Sequence, residues 1–185
     1  MGQYHIWNNQ GDLGELGIKF AQKPQSYMCQ NLKDQFIQQA NPKMDSESKL
    51  VFFKNAKETF NVSKYLSTIK NRESRSLFSK LRLDILPLEI ELGRRKGLAR
   101  EERFCKFFNG NRIEDEVHFI FECPSFENLR AQALNSISVT TPTLSHIDNI
   151  QKLNFLFYNE HTPTKALETA AKMLANLMHA RDALK

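Results

Sequence analysis

The chain has 185 residues, 41% of them hydrophobic and fourteen of them Phe, enough for one well-packed core. A charged fraction of 25% is that of an ordinary globular chain, and no apolar run approaches the about eighteen residues of a membrane helix. The net charge of +5 is unevenly placed. Lys64 to Arg112 carries thirteen Lys or Arg against six Asp or Glu, whereas the rest of the chain carries thirteen against fifteen.

In chain order, 1–24 reads as a loosely ordered leader, with Gly at positions 2, 11, 14 and 17 and no sustained periodicity. It lacks the basic and apolar regions of a secretory signal, and Ile6 stands where an N-myristoylation signal needs Ser or Thr. Three widely spaced cysteines exclude a disulfide framework, so an intracellular, reducing setting is expected. From residue 25 to 185 the chain reads as one helical domain. A helix from Ser26 shows the apolar stripe Tyr27, Leu32, Phe36 and Ile37, with Cys29 near it, and ends at Pro42. A second is capped by Asp45 or Ser46 and carries Leu50, Phe53 and Phe60. A short third runs from Ser63 to Ile69.

The fourth helix starts at Asn71, a good N-cap, and carries Leu77, Phe78, Leu81 and Ile85 on one face. Its other face is basic: Arg72, Arg75, Lys80 and Arg82. After Pro87, Leu88, Ile90 and Leu92 alternate with Glu89 and Glu91. That is a strand period ending at Gly93, with a short helical turn as the alternative. Arg94, Arg95, Lys96 and Gly97 form a compact basic turn, and Ala99 to Arg103 one helical turn. Asn109-Gly110-Asn111 is a loop tip, and Glu114-Asp115-Glu116 opens a helix at its electropositive end. Three more helices follow: Ser125 to about Ile137, Leu144 to Tyr158, and Pro163 to about Ala183 with the stripe Leu167, Ala170, Leu174, Leu177 and Met178. The expected fold is mostly α, an irregular multi-helix domain.

The segment 101–130, in the middle of the domain, holds Cys105, His118 and Cys123. Zinc takes four Cys or His ligands in a tetrahedron, often from a Cys-x2-Cys pair and a later His and Cys. Here His118-x4-Cys123 has the spacing of a closing pair, but Phe108 stands where the second Cys of the opening pair would be. On one straight helix, His118 and Cys123 would lie about 140° apart, so the helix must end near Glu122 for both to face one ion. Pro124 fits such a break. Two readings stay open. Cys105, His118 and Cys123 form an incomplete zinc site, finished by water or by Glu114 or Glu116; or they pack with Phe108 as an apolar cluster.

These motifs resemble the region after the polymerase core in reverse transcriptases of non-LTR, LINE-like retrotransposons. The resemblance rests on LEIELGRRKGLAREERFCKF (Leu88 to Phe107), on the Cys105–Cys123 segment and on CPSFENLR (Cys123 to Arg130). It extends more weakly to LKDQFIQQ and FKNAKETFNVSKYL, so it spans roughly Leu32 to Arg130. The family pattern carries a Cys where this chain has Phe108, which makes the segment a degenerate zinc-knuckle-like one.

The resemblance implies an accessory region that binds template RNA or target DNA. Cations contact phosphates in such modules, and aromatic rings stack on bases. The phosphate-contacting candidates are Arg72, Arg75, Lys80, Arg82, Arg94, Arg95, Lys96, Arg100, Arg103 and Lys106; Phe107 is a candidate stacking residue, with a place in the core as its alternative. No Asp-Asp pair occurs in the chain, and no nucleotide-binding or hydrolase motif, so no catalytic activity is expected. The alternative is a helical interaction or remnant domain without affinity for nucleic acid.

Overall fold

The computed structural model describes residues 62–184, all within Asp45–Lys185, the second of two compact units of the chain. The expected leader 1–24, the helix from Ser26 with Cys29 and the helix from Asp45 or Ser46 lie outside the described residues. Within them the fold is mostly helical and contains no strand, only one isolated bridge between Phe104 and Ile113.

Helix α1 spans Lys64–Thr68 and α2 spans Arg72–Arg82. Asn71 caps α2 as expected, its side chain accepting the Ser74 backbone N–H at 2.8 Å. The inward face of α2 consists of Ser74, Phe78, Leu81 and Arg82. Phe78 stacks on Tyr65 at 5.0 Å and meets Phe157 at 5.3 Å.

Helix α3, Glu89–Arg95, replaces the strand expected from the alternation of Leu88, Ile90 and Leu92. Charge decides against the strand. Glu89 and Glu91 sit in the first turn and Arg94 and Arg95 in the last, each at the favourable end of the helix dipole. Glu91 also holds both arginines, at i+3 and i+4, with contacts of 2.8 and 3.0 Å. Gly93 lies inside the helix rather than ending it. The stop is Gly97, whose φ of 73° lets the Leu98 N–H reach back to the Gly93 carbonyl at 2.9 Å.

After the 103–114 segment, α4 covers Glu127–Thr140 and a 3-10 turn Pro142–His146. Helix α5, Asn149–Leu153, runs straight into a π-helical turn, Asn154–Tyr158. Helix α6, Thr164–Ala183, is the central element. It packs against α1, α2, α4 and the turn after α5. The expected stripe Leu167, Ala170, Leu174, Leu177 and Met178 is buried, and Ala166, Ala171 and Met173 widen it. Alanines let the neighbouring helices approach closely. The Phe and Leu side chains around them each contribute about 1.5–3 kcal/mol of burial. No helix among the described residues is long and apolar enough to cross a membrane.

Candidate metal centre

Two pieces of backbone bring the three ligand candidates together. The first is a hairpin-like segment around the Phe104–Ile113 bridge. The Cys105 N–H donates to the Arg112 carbonyl at 2.8 Å, and the Glu114 N–H to the Arg103 carbonyl at 3.0 Å. Its tip contains Asn111 at a φ of 49°, a conformation Asn tolerates better than most residues. Arg103 clamps the base: its guanidinium donates to the Ile90 and Leu98 carbonyls.

The second piece is a π-helical turn, His118–Glu122, entered through a helical turn at Glu116 and Val117. Asp115 starts it by accepting the His118 N–H at 2.9 Å. The Cys123 N–H then donates to the His118 carbonyl at 2.7 Å. In a π turn the bonded residues are five apart. The spacing that separates His118 and Cys123 on an α-helix thus brings them together here. The helix does end at Glu122, but the meeting is made by the wide turn before the break rather than by the chain doubling back after it.

Cys105, His118 and Cys123 are 6%, 4% and 0% exposed, and one ligand atom from each lies within 4.8 Å of the other two. The two sulfurs are 3.8 Å apart. Two zinc–thiolate bonds of about 2.3 Å meeting at a tetrahedral angle span about 3.8 Å, so this edge already has the length a metal needs. Neither ring nitrogen of His118 has a hydrogen-bond partner among the described residues. A buried, unsatisfied nitrogen costs about 1–3 kcal/mol, which a metal bond would remove. Burial holds the His118 pKa below the ordinary range, against the pull of Asp115 and Glu122, so the ring is neutral and its lone pair available. Burial likewise pushes the Cys105 thiol up to about 11, so its thiolate needs a cation. The cluster can hold a metal ion.

The surroundings orient these groups. Glu122 Oε2 lies 4.0 Å from His118 Nδ1, one helical step along, and is itself held by Arg112 at 2.8 Å. Arg130 is buried and donates to the Cys123 carbonyl at 3.1 Å. Phe108 is half-buried on the core, its ring 6.4 Å from that of His118. Gly110 lies against it: a Cβ at 110 would overlap the Phe108 ring. Glu114 is not a ligand. Its two oxygens take Arg181 at 2.9 and 2.8 Å, and one also accepts the Glu89 N–H at 2.7 Å. Glu116 also stands apart from the cluster, among Asp84, Asp115 and Arg100; burial pushes its carboxyl up to about 7.

The ten cationic candidates separate into groups. Arg72, Lys80 and Lys96 are exposed and without a polar partner among the described residues. Arg94 and Arg95 are exposed but engaged by Glu91, Arg100 faces Asp115 at 3.7 Å, and Lys106 binds Glu89 at 2.7 Å. Arg75 donates to the Ile69 carbonyl, and Arg103 is the clamp described above. Arg82 does not lie on a basic face. It is 3% exposed, pairs with Glu160 at 3.0 Å and donates to the Phe157 and Tyr158 carbonyls. Its spacing was readable, since 78, 81 and 82 share one side of a helix. Phe107 packs half-buried against Phe126 at 5.8 Å and lies under the Arg181 guanidinium.

Arg181 and Glu122 were missed as organising residues. Arg181 continues the Leu174, Leu177, Met178 stripe at i+3 from Met178, and a charge on such a stripe signals a buried partner. Glu122 is four residues after His118 on the same turn. No protein-family model, curated protein or solved structure matches this chain.

Proposed function

We propose that Cys105, His118 and Cys123 hold a zinc ion in a structural role. Around it, the helical domain binds RNA or single-stranded DNA as an accessory region of a retrotransposon reverse transcriptase, without catalytic residues of its own. The observation that carries the zinc reading is the buried S, S, N set with its 3.8 Å sulfur edge and unpartnered imidazole. Two thiolates balance the charge of the ion, and sulfur with imidazole suits zinc better than the hard cations. What supports the nucleic-acid reading is the basic excess of 64–112, the exposure of Arg72, Lys80, Lys96, Arg94, Arg95 and Arg100, and the motif resemblance.

Metal analysis of protein purified without chelator should give one zinc per chain. Filter binding to single-stranded RNA should show affinity that weakens with salt, log K falling by about 0.7 per phosphate contacted for each tenfold rise. Absence of binding at low salt overturns the nucleic-acid reading and leaves the zinc reading standing.

A second reading has its own observation. Glu91, Asp115 and Glu89 already engage Arg94, Arg95, Arg100 and Lys106, which favours an interaction domain without affinity for nucleic acid. Charge reversal at Arg94, Arg95 and Lys96 separates the two: RNA affinity falls in the first case and is untouched in the second.

A further inference from the structure

We propose that the metal at Cys105, His118 and Cys123 keeps its fourth coordination position for a small exogenous donor, with Phe108 as the lid over it. The inference rests on the metal reading above and adds the kind of ligand the centre takes. That ligand is a compact monodentate group with one electron pair to give, such as an imidazole nitrogen or an alkyl thiolate; water serves when neither is present.

The ligand set makes the case first. A tetrahedral ion needs four donors, and the cluster supplies three among the described residues. Each carboxylate close in sequence faces other groups. Glu114 is held by Arg181 and the Glu89 N–H, and Glu122 by Arg112 and Asn149. Asp115 takes the His118 N–H and faces Arg100, while Glu116 lies outside the cluster. All three ligand residues are buried and both His118 ring nitrogens are sealed from solvent, so an outside donor reaches the ion only when a covering group moves. Phe108 stands against His118, half-buried, carried on a hairpin whose tip is exposed. An aromatic ring gives no electron pair to zinc, so it covers the position without filling the coordination shell. Gly110 allows the ring to lie there, since any side chain at 110 would displace it. An open position beside three protein ligands is the arrangement in which zinc exchanges small ligands.

The test uses the full chain loaded with one equivalent of Co(II), whose d–d and thiolate charge-transfer bands report coordination. The wild-type protein should show charge-transfer intensity for two sulfurs, and its d–d bands should shift saturably as imidazole is added. Phe108→Cys should raise the charge-transfer intensity by about half, three sulfurs for two, and abolish the imidazole shift. Phe108→Ala, which keeps the site open even if the Cys variant folds poorly, should tighten imidazole binding. Wild-type bands that ignore imidazole overturn the proposal. So does three-sulfur intensity in the wild type, which would mean that a further residue such as Cys29 closes the set. Absence of any charge-transfer band overturns the metal reading itself, a different failure from the other two.

Discussion

Arg181 and Glu114 are the least exposed ion pair among the described residues, at 1% and 0%. Removing two charges from water costs several kcal/mol per ion, and only a well-made pair recovers it. This pair is bidentate, with contacts of 2.9 and 2.8 Å, and the guanidinium also lies 5.2 Å over the Phe107 ring. It ties the end of α6 to the backbone just before the His118 turn. Arg181→Met should therefore cost about 3–5 kcal/mol, because it strands a buried carboxylate rather than because it loses an attraction. Glu114→Gln keeps an acceptor for the Glu89 N–H and should cost less. Combined, the two changes should destabilise by clearly less than the sum of the single losses, since the double variant buries no unpaired charge. Urea denaturation of the four proteins at saturating metal measures the coupling. Additive losses would show that the pair does not work as a unit.

The elements divide by how their shape is encoded. Helices α2 and α6 were legible because each carries an apolar stripe at helical spacing, and α2 also has a cap residue at its start. Helix α3 was not, because five residues of alternating polarity fit a strand as well as a turn of helix. The decision came from Arg94 and Arg95, which reach back to Glu91 only on a helix. The turn at His118–Glu122 was half legible. The sequence placed a break before Pro124 if His118 and Cys123 were to face one ion, but nothing local distinguishes a wide turn from a helix that stops. Gly93 offers a test at this scale. In an open helix, Gly→Ala stabilises by roughly 0.5–1 kcal/mol. Here an added Cβ would stand 2.6 Å from Arg103 Cγ, close to the backbone of a side chain whose guanidinium is fixed on two carbonyls. Gly93→Ala should instead destabilise, by about 1–3 kcal/mol. A thermal melt beside that of an Arg103→Ala, Gly93→Ala double variant checks the cause. If Arg103 is the obstacle, the Gly93→Ala change costs little once Arg103 is gone.

Across the molecule, the Cys105, His118 and Cys123 cluster and the main core overlap without depending equally on each other. The buried faces of α2, α4, α6 and the π-helical turn Asn154–Tyr158 contain Phe78, Ile137, Leu156, Phe157 and Leu174, none of which is a metal ligand. The 103–114 segment is held by the cluster, but also by the Arg103 clamp, the Glu114–Arg181 pair and the Phe107–Phe126 contact. A metal bound only by the folded state stabilises it by about 2.7 kcal/mol when present at a hundred times its Kd. Removing it also leaves the coordinating nitrogen of buried His118 without a partner. On the zinc reading, chelation should therefore lower the melting temperature by several degrees while far-UV circular dichroism at 25 °C keeps nearly all of its helical signal. The local consequence belongs to the exposed tip, where Arg112 becomes a preferred site for trypsin once Cys105 no longer ties the hairpin to the turn. Re-addition of zinc should restore both the melting temperature and the resistance at Arg112. Loss of most helicity on chelation would show instead that the core of α2, α4 and α6 cannot form until the metal has joined the segments beside it.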